Sequence, residues 1–312
     1  MTPLMPDSSD ITSSEGQDFI FKLDAAEDAW WNKEIQIFRK RIIKDSFVYL
    51  AEAAKKIGLS LDTLNADVDA VIRDLRSTSY NLYLIDEANF HSEIARHLTN
   101  QRDLPKNIMR AVIKPILARK DFPNMTAEAL TQHLGDAAGQ YVGRIFPYLY
   151  VLSLSTTQSR RSRAGTEFEL ILKTVLDLLG YPCEAQSQIG SSRFAEVRLG
   201  KSVDLLVPGI EGYRTDPQEC AVITAKTTLR ERWTQVAEEL QRTNVPRIYL
   251  VTPDDQITSD VLERLHLYKI TLVVPNILKN TQFETDKLVH SFSTFFMRDI
   301  PHIIDYWKRA KN

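Results

Sequence analysis

Residues 226 to 239 read Lys-Thr-Thr-Leu-Arg-Glu-Arg-Trp-Thr-Gln-Val-Ala-Glu-Glu, so a lysine, an Arg-Glu-Arg triplet and a carboxylate pair share one short stretch. They follow the apolar run Ala221-Val222-Ile223, and the pattern predicts strand, turn, then helix. Twenty-two residues before Lys226, Asp204 lies in a second strand-like run, Val203 to Val207, closed by Pro208-Gly209. Hydrolysing a phosphodiester requires neutralising growing negative charge, holding the phosphate and deprotonating a water. Carboxylates that hold Mg²⁺, with a lysine beside the phosphate, can do all three. Asp204 has the type of a metal ligand and Lys226 that of a water or phosphate partner. Asp204 is the most telling single residue, because a charge inside an apolar strand is costly unless paired or metal-bound.

In the usual PD-(D/E)xK arrangement a second acid stands two residues before the lysine, but here that position is Thr224. By itself this would mark a dead site. Glu239, 13 residues after Lys226 on the helix predicted to follow, is a second acid able to reach the same metal. Glu169, four residues after Gly165 on the preceding helix, could add an acidic group through water. Taken singly, Glu169 and Glu239 read as exposed helical acids and Lys226 as a strand-end lysine; the joint spacing argues for chemistry. Arg230, Glu231 and Arg232 could be the solvated opening turn of a helix, yet two arginines at its positive dipole end are unfavourable. Arginine bridges guanine O6 and N7 and glutamate accepts from cytosine N4, so the triplet suits G·C pairs, each good bidentate contact adding about 1–3 kcal/mol of discrimination.

Bulk properties leave this open. A chain of 312 residues, 43% apolar and 26% charged, can bury one large core or two smaller ones, and its aromatic content excludes a disordered protein. The net charge of -2 argues only against a non-specific DNA coat, since a basic cluster such as Arg160-Arg161-Ser162-Arg163 can make a local face. Two cysteines without CxxC spacing suggest neither zinc nor a disulfide framework. The N-terminus, rich in Ser, Asp, Thr and Pro, has no signal-peptide pattern, and no apolar run nears the roughly 20 residues of a membrane span. A soluble bacterial cytoplasmic protein with no membrane association is expected.

Residues 1–17 read as a mobile tail, 18–152 as a helical N-terminal part and 153–312 as an α/β part. Helices are predicted from Asp28 to Phe38, Asp45 to Ile57, Leu61 through Leu75, Asn89 to Leu98, Lys106 to Ala118 and Thr126 to Leu134. Gly135, Gly139 and Gly143 then loosen the chain, and polar Ser153 to Ser162 reads as a link. Beyond it, Thr166 to Leu179, Leu229 to Thr243 and Ser259 to Leu267 read as helices, with Val289 to Lys311 a helical finish. Val203 to Val207, Ala221 to Thr224, Arg247 to Thr252 and Ile270 to Val274 read as strands, the last closing the sheet, and Pro182 to Gly190 as an edge strand or loop. Such alternation implies a central mixed sheet covered on both faces.

The set Gly165-Thr-Glu-Phe-Glu169, Val203-Asp204, Ala225-Lys226, Arg230-Glu231-Arg232 and Glu239 resembles the CCGG/CCNGG group of type IIP restriction endonucleases, well over 158–251 and loosely in the helical part. The resemblance implies a PD-(D/E)xK restriction-endonuclease-like core with an all-helical N-terminal part for DNA contact or dimerisation. In that group the second acid has moved to the following helix, which accounts for Thr224. Asp204, Lys226 and Glu239 are then catalytic, with Glu169 auxiliary and Asp204 and Glu239 holding Mg²⁺. Arg230, Glu231, Arg232 and Gln158 read the bases. The implied activity is cleavage of both strands of a palindromic CCNGG-like double-stranded DNA site, with a flanked form TCCNGGA as an option, cutting before the first C to leave 5′ overhangs. A homodimer, a cognate DNA methyltransferase in the same cell and flipping of the central nucleotide are also implied. Arg76 and Tyr80, at i and i+4, are candidates for wedge and stacking platform, with ordinary packing the alternative. Trp30, Trp31 and Phe38 are read as interface or core. Competing expectations are a non-cleaving DNA-binding or regulatory protein of this fold, and a repair or methyl-directed nuclease.

Overall fold

A computed structural model describes residues 23–101, 110, 113–114, 116–200, 203–229 and 248–310. The tail at 1–17, most of the helix expected from Lys106 to Ala118 and residues 230–247 lie outside them. The described residues fall into two compact units, one drawn from 1–44 and 83–160, the other from 45–82 and 161–312.

The first unit is helical. Helix α1 (Ala25–Ile42) starts where the Asp24 carboxylate accepts the N–H groups of Ala26 and Glu27, and ends in Arg39, Lys40 and Arg41, charges that suit both ends of its dipole. Trp31, Ile35 and Phe38 on its inner face pack with Phe90, Ile94 and Leu98 of α4 (Val68–Gln101) and Tyr148 and Leu152 of α5 (Ala127–Leu178). Trp31 and Phe38 are therefore core residues, and Trp31 Nε1 donates to the Tyr148 carbonyl at 2.8 Å.

Helix α5 runs 52 residues without interruption, through Pro147 and through the expected link Ser153 to Ser162. The hydroxyl-rich stretch stays helical because Leu152 and Thr156 are buried, while the Thr157 hydroxyl is absorbed by the Ser153 carbonyl at 2.9 Å. The expected basic face is also smaller than the sequence implies. Arg160 pairs with buried Glu87, while Arg163 pairs with Glu167 at 2.9 Å and lies 4.4 Å from the Tyr49 ring centroid.

The second unit holds a six-stranded sheet in sequence order: β1 (Glu184–Ala185), β2 (Leu205–Val207), β3 (Ala221–Ala225), β4 (Ile248–Val251), β5 (Thr271–Val274) and β6 (Val289–Ser291). The first three strands are antiparallel and β3 to β6 parallel, a mixed sheet as expected. Alternation sorts the side chains: Leu205, Val207, Ile223, Tyr249 and Val251 face one core, Leu206, Val222, Leu250 and Leu272 the other.

Three expectations change here. Residues 45–82 join this unit rather than the N-terminal part, because Leu50 and Ala53 of α2 (Ser46–Lys56), Leu64 of α3 (Leu61–Ala66) and Val68, Ile72 and Leu75 of α4 pack against Phe168, Ile171 and Val175 of α5. The helix expected from Leu61 through Leu75 breaks at Asp67, whose extended backbone ends α3. β5 is not the last strand: Val289–Ser291 pairs with it in parallel before the C-terminal helical segment, α6 (Ile300–Ala310), begins.

Both cysteines are unpaired, Cys220 fully buried and Cys183 partly, and burial pushes each thiol up to about 12. Native protein treated with iodoacetamide near neutral pH is expected to label at neither thiol until denatured. Rapid native labelling detected by mass spectrometry would contradict this packing.

Candidate active site

The antiparallel register of β2 and β3 pairs Leu205 with Ile223 and so brings the start of one strand beside the end of the other. That register explains how Asp204 and Lys226, 22 residues apart, meet. Asp204 stands just before β2, its N–H donating to the Ile223 carbonyl at 2.9 Å and its own carbonyl accepting from Gln186 N–H at 2.9 Å. With its main chain held on both sides, its carboxylate accepts the Ala225 N–H at 2.6 Å and the Lys226 ammonium at 3.3 Å. Lys226 is anchored in turn by its N–H, which donates to the Val251 carbonyl at 3.0 Å. Both side chains are largely shielded yet reach the surface of one cavity of about 310 Å³.

Helix α5 supplies the third wall through Gly165, Thr166 and Glu169. Glu169 is held by the Ser187 hydroxyl, which donates to its carboxylate. Burial raises the Glu169 pKa and the charge of Asp204 raises it further, against the opposing effects of Ser187 and Lys226. Below the ordinary glutamate range the carboxyl is protonated both folded and unfolded and this penalty vanishes; above the raised folded-state pKa it is fully present. Glu169→Gln is therefore expected to raise Tm in metal-free buffer at about pH 7.5, with the gain shrinking toward about pH 4. A gain that stays constant across that range would contradict the assigned burial and charge.

Two acidic side chains whose charges repel open on the cavity, and their oxygens are hard donors of the kind that divalent cations take, though two carboxylates alone do not complete a site. Among the described residues no group of three or more His, Cys, Asp or Glu could hold a metal ion. The further acid named for that purpose, Glu239, lies outside them, as do Arg230, Glu231 and Arg232. Thr224, where the usual second acid would stand, is buried in β3.

The remaining named residues are not among those that line this cavity. Gln158 is exposed on α5. Arg76 is half-buried on α4 with its guanidinium 5.6 Å from the Phe168 ring centroid, and burial lowers its pKa against the charge of Glu167. Tyr80, one turn on, is exposed. Sequence reasoning missed Ser187 and also Asp254, whose carboxylate accepts the Leu229 N–H at 2.7 Å. Those contacts span 18 and 25 residues, and no local pattern marks them.

A family model described as EcoRII C terminal matches residues 128–296. The type II restriction enzyme SsoII of Shigella sonnei is 39% identical over 157 residues, which are 50% of this chain and 52% of that protein. The matched stretch thus spans about half the length of that curated relative. Among solved structures, metal-depleted Ecl18kI in complex with uncleaved DNA matches with a TM-score of 0.72 at 25% identity, covering 90% of this chain and 86% of that one. A complex of the restriction endonuclease PspGI with substrate DNA matches in fold, with a TM-score of 0.54 at 17% identity over 85% of this chain and 94% of that one.

Proposed function

The chain belongs to the EcoRII C-terminal family and has the restriction-endonuclease fold, and from that premise we propose that it is a type II restriction endonuclease. It hydrolyses both strands of a palindromic, G·C-rich CCNGG-like site in double-stranded DNA, using Mg²⁺, and cuts before the first C to leave 5′ overhangs. The observation that carries this reading is the meeting of Asp204, Lys226 and Glu169 at one cavity.

In this reading Asp204, with Glu239, holds the Mg²⁺, and Glu169 is an auxiliary acid. When bound, the ion supplies charge stabilisation for the phosphoryl oxygens and a more acidic water. Lys226 places its ammonium against the scissile phosphate and orients the attacking water. The Ala225 N–H keeps one Asp204 oxygen fixed, so the carboxylate needs no rearrangement when DNA arrives. Arg230, Glu231 and Arg232 read the C·G pairs in the major groove and Gln158 contacts the site from another side. Palindromic sites are cut by two-fold symmetric homodimers, one strand per subunit, and a host needs a cognate methyltransferase to protect its own DNA. The helical first unit takes part in dimer contact or DNA grip, the central nucleotide is flipped, and Arg76 and Tyr80 serve as wedge and platform.

Purified protein incubated with plasmid DNA and Mg²⁺ tests the proposal. Discrete fragments, whose sequenced ends fall at one G·C-rich palindrome, are expected. Smearing would favour a nuclease of loose specificity, and an uncut plasmid would favour a DNA-binding protein without hydrolytic activity.

A further inference from the structure

The chain between the lysine and the first arginine of the triplet is fastened at both ends. At one end Lys226 N–H donates to the Val251 carbonyl at 3.0 Å. At the other, Leu229 N–H donates to Asp254 Oδ2 at 2.7 Å. Leu229 is 0% exposed and packs in the same core as Val222, Ile248 and Leu250, so its side chain and its N–H are both fixed. Asp254 is itself locked. Its N–H donates to Thr252 Oγ1 at 3.1 Å, and its other oxygen, Oδ1, accepts from Gln256 N–H at 3.1 Å. Thr252 is buried and donates its N–H to the Val273 carbonyl at 2.9 Å, which ties this turn to the neighbouring strand. Arg230 is the next residue after Leu229.

We propose that Asp254 is a positioning residue for base recognition: through the Leu229 N–H it fixes Leu229, the residue before Arg230, relative to Lys226. This rests on the reading of the triplet as the base-contacting element. A carboxylate suits the task, because hydrogen bonds from main-chain N–H groups to an ionised acceptor are short and strong, and two oxygens can hold two strands of chain at once. Asp254 contacts no DNA in this account. Its effect appears in discrimination between sequences, since bidentate base contacts depend on placement while phosphate contacts tolerate small shifts.

The test is binding in metal-free buffer to two duplexes, one holding CCNGG and one with its outer C·G pair exchanged for T·A. Wild-type protein is expected to prefer the first, and Asp254→Ala to lower that preference at least about tenfold by weakening binding to CCNGG alone. Binding to the exchanged duplex stays at the wild-type value, while the unfolding midpoint falls modestly because the Leu229 and Gln256 N–H groups lose their acceptor. Asp254→Asn keeps a carbonyl oxygen for the Leu229 N–H but turns an NH₂ toward the Gln256 N–H, and is expected to lose less of the preference than Asp254→Ala. If Asp254→Ala unfolds, Asp254→Glu moves the acceptor by one methylene with charge kept and is expected to show the same selective loss. An unchanged preference in Asp254→Ala, or in Asp254→Glu where Asp254→Ala unfolds, overturns the inference, as does an equal loss on both duplexes that tracks a lower unfolding midpoint. A wild-type protein that fails to discriminate overturns the reading of the triplet itself, and is seen without any variant.

Discussion

Lys226→Ala is expected to lower DNA cleavage by about 10²- to 10³-fold or more while leaving most of the binding intact. The ammonium is the cationic group paired with Asp204 at the cavity, so it is the group placed to meet charge as it develops on the phosphate. The local fold does not depend on it. The Lys226 main-chain N–H still donates to Val251, and Asp204 still accepts the Ala225 N–H at 2.6 Å. The pair at 3.3 Å is largely shielded, so its loss costs some stability, which the unfolding midpoint reports alongside. Single-turnover cleavage alongside metal-free binding separates the two effects, and a variant that cuts within tenfold of wild type would show that the chemistry lies elsewhere.

Phe168→Ala is expected to destabilise the second unit by about 3–5 kcal/mol, the usual range for emptying a large aromatic from a core. Phe168 is 1% exposed, sits among Leu75, Ile171 and Leu172, and precedes Glu169 on α5. Its ring also lies beneath the Arg76 guanidinium, so truncation leaves that half-buried cation against a void. Because the same turn of helix aims Glu169 at the cavity, activity should fall with stability. Urea titration gives the stability change, and a loss under about 1 kcal/mol would mean that α5 is held on the sheet by other contacts.

How much of this was legible in the sequence depends on the range of the interaction. The strands around Asp204 and before Lys226 were readable because short β-branched and apolar runs are local signals, the first closed by Pro208-Gly209, and the antiparallel register then brought the two residues together. The continuity of α5 was not readable. Ser, Thr, Gly and Pro between residues 135 and 162 are breakers by propensity, and burial of Tyr148, Leu152 and Thr156 overrides them. Membership of residues 45–82 in the second unit rests on contacts such as Leu64 and Leu75 with the core around Phe168, which lie about a hundred residues away in sequence and have no local trace. The three-residue β6 is too short to show a period of two. Ser187 and Asp254 are ordinary loop residues until the fold brings Glu169 and Leu229 to them.

In the proposed function one segment running from Lys226 joins cutting to sequence reading. This coupling is tested most directly by single-turnover hydrolysis, with Mg²⁺, of a duplex containing CCNGG and of the same duplex with one outer C·G pair exchanged. Cleavage of the first before its first C on both strands is expected and, with each good base contact adding about 1–3 kcal/mol, a rate on the second lower by at least about tenfold. Equal rates on the two duplexes, or hydrolysis of neither, would contradict it.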